Sequence, residues 1–308
     1  MPLHAFLTEP RFDRLRGILL MVVATLSFSA MHTSIKYVGT TGMHPFEIAF
    51  FRNFFGLVAL TPVFLRYGLT PLKTTRFGLH LGRVLLNVGS MLAFFYAIAI
   101  SPLAEVIALS FAAPIFATLL AIFFLKEVVG LGRWGSILLG FAGTLVILRP
   151  GYEEIALGPL LAVFSAMTWG CAVIIIKNLS RTDSSVTITI YMVLLMTPLT
   201  LIPAAFVWQW PTLHQLAFLV LVGAFGTVGH LCMTQAIKLA PTNVVMPIDF
   251  VRLIWVAIIG YLIFGESPDV FVWAGGAMIF ASGLWIAESE NRLRRKENRL
   301  RKETLPPA

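Results

Sequence analysis

Between Gly17 and Ala287 the chain alternates long apolar stretches with short breaks rich in Gly, Pro and charge. Ten stretches stand out, at residues 17–37, 46–65, 79–99, 103–125, 132–149, 157–176, 185–207, 213–235, 243–264 and 270–287. A helix that crosses a bilayer needs about 20 mostly apolar residues, so each stretch is predicted to be one membrane span, numbered 1 to 10 in chain order. Ten spans in 271 residues leave about seven residues per connection, too few for a folded domain outside the membrane. Membrane β-strands would alternate in polarity, whereas runs such as Ile254 to Phe264 are continuously apolar. Arg11, Arg14 and Arg16 ahead of span 1, with Ser27, Ser29 and Ala30 within it, imitate a secretion signal. Its full apolar length and the nine spans behind it instead predict an uncleaved first helix.

Composition agrees with this pattern. Hydrophobic residues make up 58% of the 308 and charged residues 12%, about half of what a soluble domain uses to cover its surface, which excludes an ordinary soluble enzyme. Cys171 and Cys232 lie far apart in apolar runs and form neither a disulfide framework nor a metal-ligand spacing. The formal charge of +8 is mostly tail and topology. Seven basic residues stand in the last 17, interleaved with glutamates at helix-compatible spacing, as in Glu290 with Arg294 and Glu297 with Arg301. That pattern predicts a solvated helix near anionic lipid and no nucleic-acid partner. With the N-terminus inside, 19 of 23 basic residues fall on the cytoplasmic side, Arg83 among them, and only Lys36 and Arg149 fall outside. Arg52 and Arg252 remain within spans. The bias predicts both termini in the cytoplasm.

The chain also matches itself. Gly17 to Val38 aligns on Gly158 to Leu179, pairing Lys36 with Lys177. A shift of 139 pairs Pro102 with Pro241, Phe111 with Phe250, Glu127 with Glu266 and Trp134 with Trp273. Aliphatic matches between membrane helices carry little information, but Lys, Pro and Glu matches at helix junctions carry more. Spans 1 to 5 thus predict a copy in spans 6 to 10. Because five is odd, the second copy enters the membrane from the opposite side, an arrangement used to expose a site alternately to each face. The predicted parts are a cytoplasmic N-terminus (1–16), two repeats (17–149 and 157–287) and a basic cytoplasmic tail (288–308).

These residues resemble the drug/metabolite transporter superfamily, and within it proteins with two EamA domains. The resemblance rests on Ala97-Ile98 to Pro102 with its copy Ala236-Ile237 to Pro241, and on the acidic junctions Leu125-Lys126-Glu127 and Phe264-Gly265-Glu266. Phe51-Arg52-Asn53 and the segment from Pro247 to Arg252 add to it. The resemblance implies an all-α carrier of the bacterial inner membrane, a monomer or homodimer, with a cavity lined mainly by spans 1, 3, 4, 6, 8 and 9.

Charge inside the bilayer needs a reason. Asp249 and Arg252 share one face of span 9 and read either as a self-satisfied ion pair or as a substrate or coupling site. Arg52 stands shallow enough in span 2 to snorkel outward or to touch substrate. Glu47 and Glu105 are expected to pair with Arg52 or Lys36. Lys36 and Lys177 read as interfacial anchors, and Glu127 and Glu266 as cap or hinge residues. His32 and His230 are candidate proton relays or packed histidines. Tyr96, Trp169, Gln235, Asn243 and Asn87 offer polar edges to a cavity or to neighbouring helices, and Gly223, Gly226 and Gly229 mark close helix approach. No P-loop, nucleophile with a base, paired acidic motif or pore stripe occurs, so no cofactor, metal, ATP drive or catalytic residue is expected. The sequence therefore predicts a secondary carrier of a small organic metabolite working by alternating access. Candidate substrates are amino acids, S-adenosylmethionine, riboflavin-like compounds and exported toxic compounds. Proton coupling, exchange and facilitated diffusion stay open. The alternative class is an intramembrane lipid- or metabolite-modifying enzyme.

Overall fold

The computed structural model describes residues 10–68, 70–125, 131–150, 156–179, 182–240, 245 and 248–304. Its elements are all helical. The first six are α1 (Pro10–Thr40), α2 (Pro45–Ala59), α3 (Thr61–Tyr67), α4 (Phe77–Ile100), α5 (Leu103–Ser110) and α6 (Ala113–Leu125). There follow α7 (Leu131–Leu148), α8 (Leu157–Leu179), α9 (Ser185–Ala205), α10 (Leu213–Leu239), α11 (Val251–Phe264) and α12 (Val270–Thr304). Seven stretches are long and apolar enough to cross a membrane, and Trp134–Leu148, Val251–Phe264 and Val270–Ile286 are shorter apolar helices. The protein is a multi-pass membrane protein, and these segments coincide with the stretches read from the sequence. The basic tail continues span 10 as helix to Thr304.

Two spans depart from the expected single helix. Span 2 is divided at Leu60, between α2 and α3, two residues before Pro62, which has no N–H to donate to the turn behind it. Span 4 is interrupted after Ser110 and resumes at Ala113. Pro114 has no N–H and disfavours helical backbone at the residue before it, so the chain turns through Phe111 and Ala112. Their N–H groups donate to the carbonyls of Ala108 (3.3 Å) and Leu109 (3.0 Å), three residues back. Span 9 resumes in the same way at Val251, after a turn at Phe250.

The helices pair antiparallel. Phe28 meets His230 and Tyr37 meets His214 along α1 and α10, and Ser90 meets Ser165 while Arg76 meets Asn178 along α4 and α8. Along α7 and α12 the Ser282 hydroxyl donates to the Ser136 carbonyl (2.6 Å), and Gly143 faces Gly275 so closely that a methyl on either would strike the other's carbonyl oxygen. Helices in lipid gain nothing from hiding apolar surface from each other, so such small-residue contacts supply the attraction. On α10, a methyl at Gly223 would lie 2.5 Å from Phe55 Cβ and one at Gly229 2.8 Å from the Phe28 ring, which bears out the expected close approach.

The bundle has a terminal face, where α1 begins and the apolar part of α12 ends, and a far face opposite. At the terminal face the α8–α9 connection clasps the base of α4. Asp183 accepts from Thr74 Oγ1 (2.8 Å) and pairs with His80 Nε2 (2.7 Å), whose ring stacks on Tyr191 at 4.5 Å. Tyr191 in turn donates to the Leu72 carbonyl (2.7 Å). Partial burial alone would raise the Asp183 pKa, but hydrogen bonds from His80, Thr74 and Thr182 outweigh it and hold the carboxyl below its usual range. A carboxylate stabilised in this way adds stability above its unfolded pKa of about 3.9, and that contribution is lost as pH falls through the lowered folded value. Asp183→Asn is therefore expected to lower the thermal midpoint in detergent by about 2–4 °C at pH 7, with the gap to the unsubstituted protein closing as the buffer is taken below pH of about 4. Circular dichroism melts across pH measure it, and a gap that stays constant to the acid limit would contradict the clasp.

Candidate functional site

Polar residues inside the helices gather where α1, α2, α4, α5, α8, α10 and α11 approach one another. Asp249 and Arg252, one turn apart, pair through Oδ2 and Nη2 at 3.2 Å. Among the described residues the pair is only half satisfied, because Asp249 Oδ1 and Arg252 Nε are buried without a hydrogen-bond partner there. The Arg252 guanidinium lies between two rings, 4.9 Å from Phe111 and 5.6 Å from Phe28. Phe28 meets His230 edge-on at 5.1 Å, His32 meets Phe94 at 5.3 Å, and Trp169 lies 6.4 Å from His230. Phe111 and Phe250, at the turns of spans 4 and 9, stack on each other with centroids 4.1 Å apart and planes at 23°.

Arg52 joins this group from α2. Instead of snorkelling to the surface it is 4% exposed, about 10 Å along the helix from Pro45 at 1.5 Å per residue, and donates through Nη1 to Asn53 Oδ1 (3.0 Å). Asn53 is anchored in turn by donating to the Ala49 carbonyl (3.0 Å) and Thr200 Oγ1 (3.3 Å). Gly226 makes room for the guanidinium, since a methyl there would lie 3.1 Å from Arg52 Nε and 2.9 Å from Met31 Sδ. Arg52, Arg252 and His230 act electrostatically on His32, while Arg52, Arg83 and Arg252 act on His230.

Arg83 was counted with the cytoplasmic charges from the sequence alone, yet its side chain is buried. It donates to the Ile188 carbonyl (3.0 Å) and meets Met192 Sδ at 3.4 Å. Its position near a helix end hid it; only the packing of α4 on α9 turns it inward. Asn87, one turn along α4, is buried with neither amide atom bonded. Of the predicted site residues, Asp249, Arg252, Arg52, His32, His230 and Trp169 come together. Tyr96 does not: it lies toward the far face, 6.0 Å from His44 and 6.2 Å from Phe46. Gln235 is exposed, about 7 Å beyond His230 along α10. Asn243 and Glu127 lie outside the described residues.

A second cluster closes the far face. Lys36 is buried, where an interfacial anchor was expected, and pairs with Glu266 rather than Glu47 or Glu105. It also donates to the Ser101 carbonyl (2.7 Å), and Glu266 Oε2 accepts from the Leu103 N–H (2.9 Å). Glu266 is thus a cap, as read from the sequence, but of α5 rather than its own helix. Gly265 makes the geometry available by ending α11 in the left-handed conformation (φ 69°). Glu47 is taken up by backbone, accepting from the N–H groups of Gln209 (2.6 Å) and His44 (3.3 Å) in the cap of α2.

The EamA-like transporter family matches this chain twice, over residues 15–149 and 156–287. The chain is 32% identical over 276 residues to the S-adenosylmethionine uptake transporter of Rickettsia bellii, covering 90% of this chain and 94% of that protein. It is 32% identical over 283 residues to the riboflavin transporter of Vibrio cholerae, covering 90% and 95%. The pseudopaline exporter of Pseudomonas aeruginosa is more distant, 25% identical over 279 residues, covering 89% and 96%. A solved crystal structure that is 17% identical superposes with a TM-score of 0.62 over 90% of this chain and 98% of the other, a likeness of fold alone.

The stacked phenylalanines at the two turns supply a measurable coupling. A double-mutant cycle of Phe111→Leu and Phe250→Leu, read by thermal unfolding in detergent, is expected to give an interaction of about 0.5–1.5 kcal/mol beyond the separate losses. Strict additivity would show that the rings do not support each other.

Proposed function

The chain belongs to the EamA-like transporter family, and from that membership we propose that it carries a small organic metabolite across the bacterial inner membrane by alternating access. We read the spans as two inverted five-span halves with both termini in the cytoplasm. One observation carries this reading: the helix pairing keeps its form when each span is exchanged for the one five places on. The α1–α10 pair exchanges with α8–α4, α1–α11 exchanges with α8 and the two parts of span 4, and α2–α9 and α7–α12 map onto themselves. Single contacts follow suit. The Ser136–Ser282 pair exchanges with Gly275–Gly143, and Phe111 stacks on its own copy, Phe250. Orientation rests on the excess of basic residues at the terminal face, which hardly changes when buried Arg83 leaves the count.

Broken spans at the meeting of two inverted halves are where transporters of this design hold substrate near the middle of the bilayer. We assign substrate contact to Asp249, Arg252, Arg52, His230, His32 and Trp169, the residues converging there. The names of the relatives make S-adenosylmethionine and riboflavin the first compounds to test, with amino acids alongside. Access from the far face requires the Lys36–Glu266 latch to part, because it fastens α1 and α5 to the connection between α11 and α12.

Uptake into proteoliposomes, with and without a proton gradient, is expected for at least one compound of that panel. Asp249→Asn and Arg252→Gln are each expected to slow it more than about tenfold, the loss that 1.4 kcal/mol of binding represents. Full activity in both variants would remove span 9 from the site. The latch has its own readout in a background lacking Cys171 and Cys232, with Thr33→Cys placed one turn below Lys36 on α1. Adding Glu266→Gln is expected to raise labelling by a membrane-impermeant maleimide from the far side, and the exchanged pair Lys36→Glu with Glu266→Lys to slow it again. Equal labelling in all three would mean that the latch does not gate access.

A further inference from the structure

Two guanidinium groups, Arg52 beside Gly226 and Arg252 beside Phe28, stand at the histidine pair, and Asp249 is the described carboxylate paired there. Asp249 pairs with Arg252, and Arg83 is a further buried guanidinium where α4 packs on α9. Arg52 and Arg83 are each 4% exposed and are held by neutral groups: the Asn53 amide oxygen in one case, the Ile188 carbonyl and Met192 sulfur in the other. Other described acids are already engaged, Glu47 by the backbone of Gln209 and His44 and Glu266 by Lys36 and Leu103 at the far face, and Asp183 by His80 and Thr74 at the terminal face. A guanidinium stays protonated in any protein environment, so these charges are not relieved by losing a proton. Around the histidine pair, Arg52 and Arg252 therefore face a single described carboxylate, Asp249, which leaves positive charge in excess there.

Unused hydrogen-bonding capacity lies in the same place. Among the described residues, Arg252 Nε, Asp249 Oδ1, both amide atoms of Asn87 and His32 Nδ1 are buried without partners. Buried polar atoms in folded proteins are nearly always bonded, and a group of unbonded ones around excess charge marks room for an occupant. The planar fork of arginine matches two oxygens of a carboxylate or phosphate; Phe28 and Phe111 present rings to Arg252, and Trp169 stands beside His230.

We infer that the transported molecule is a net anion: its carboxylate or phosphate is held by Arg52 and Arg252, and its apolar or ring portion by Phe28, Phe111 and Trp169. This rests on the reading of the central group as the transport site and narrows it. Acidic metabolites are favoured over riboflavin, which is neutral, and over S-adenosylmethionine, whose sulfonium and ammonium groups leave it net positive.

Benzoate, phenyl phosphate and benzamide test the charge directly, because they share a ring and differ in the group attached to it. The full-length protein is purified in lipid-free micelles of neutral detergent, so that no lipid phosphate competes, and its thermal midpoint is followed against millimolar probe. Benzoate, phenyl phosphate or both are expected to raise the midpoint saturably by about 2 °C or more, with no rise from benzamide. The stronger of the two acids tells carboxylate from phosphate. Arg52→Gln and Arg252→Gln are expected to lose the shift, and Arg52→Lys, which keeps the charge without the fork, to retain part of it and to control for folding. An equal shift from benzamide, or none from either acid, overturns the inference. Saturable proteoliposome uptake of riboflavin that matching acids do not inhibit would also overturn it, while leaving the carrier function standing.

Discussion

Hydrocarbon offers a charge no partner, and that constraint decides where every ionised group in this chain stands. A charged side chain at the centre of a span costs about 2.5–3.5 kcal/mol on insertion scales, so each must pair, reach the surface or serve an occupant. Lys36 and Glu266 pair and use backbone groups for what remains. The tail arginines stand beyond the apolar part of α12. Arg52 and Arg83 follow neither course: both are buried and, among the described residues, bonded to neutral atoms. Arg52 stands near the interrupted spans, and Arg83 where α4 packs on α9.

The breaks in spans 4 and 9 and the charge belong to one arrangement. A continuous helix satisfies its own backbone and presents only side chains, whereas a turn within the membrane frees backbone groups and is tolerated only where protein or a cavity covers it. Phe111 and Phe250 sit at the two turns and cover each other, and Arg252 lies over the Phe111 ring on the side facing Phe28. Rigid small-residue contacts surround this region, with Gly223 against Phe55, Gly229 against Phe28 and Gly143 against Gly275. The glycines hold backbones at a separation that no side chain would permit, and so set how far apart the charged groups stand.

Hydropathy alone located every span, because about 20 apolar residues in series have few other uses in a chain so poor in charge. Most of the central group was legible for the same reason: Asp249, Arg252 and Arg52 are conspicuous as charges inside apolar runs, and His32, His230 and Trp169 lie in spans that come to face one another. Tyr96 and Gln235 looked equivalent to them in sequence, but helical phase and depth carry Tyr96 toward the far face and leave Gln235 exposed.

Arg83 and the latch mark the limit of the one-dimensional reading. Arg83 stands near the end of an apolar run, where charge ordinarily reaches water, and nothing local distinguishes it from an anchor. Lys36 and Glu266 are separated by 230 residues and meet only because α1 and α11 pack together. The sequence by itself determined where the apolar membrane segments lie and which charges stand within them, because these follow from local transfer energies and length. Which of those residues share a surface, which charge finds a partner and which is left without one were decided by the tertiary structure alone, since pairing depends on distances that only the packing of distant helices sets.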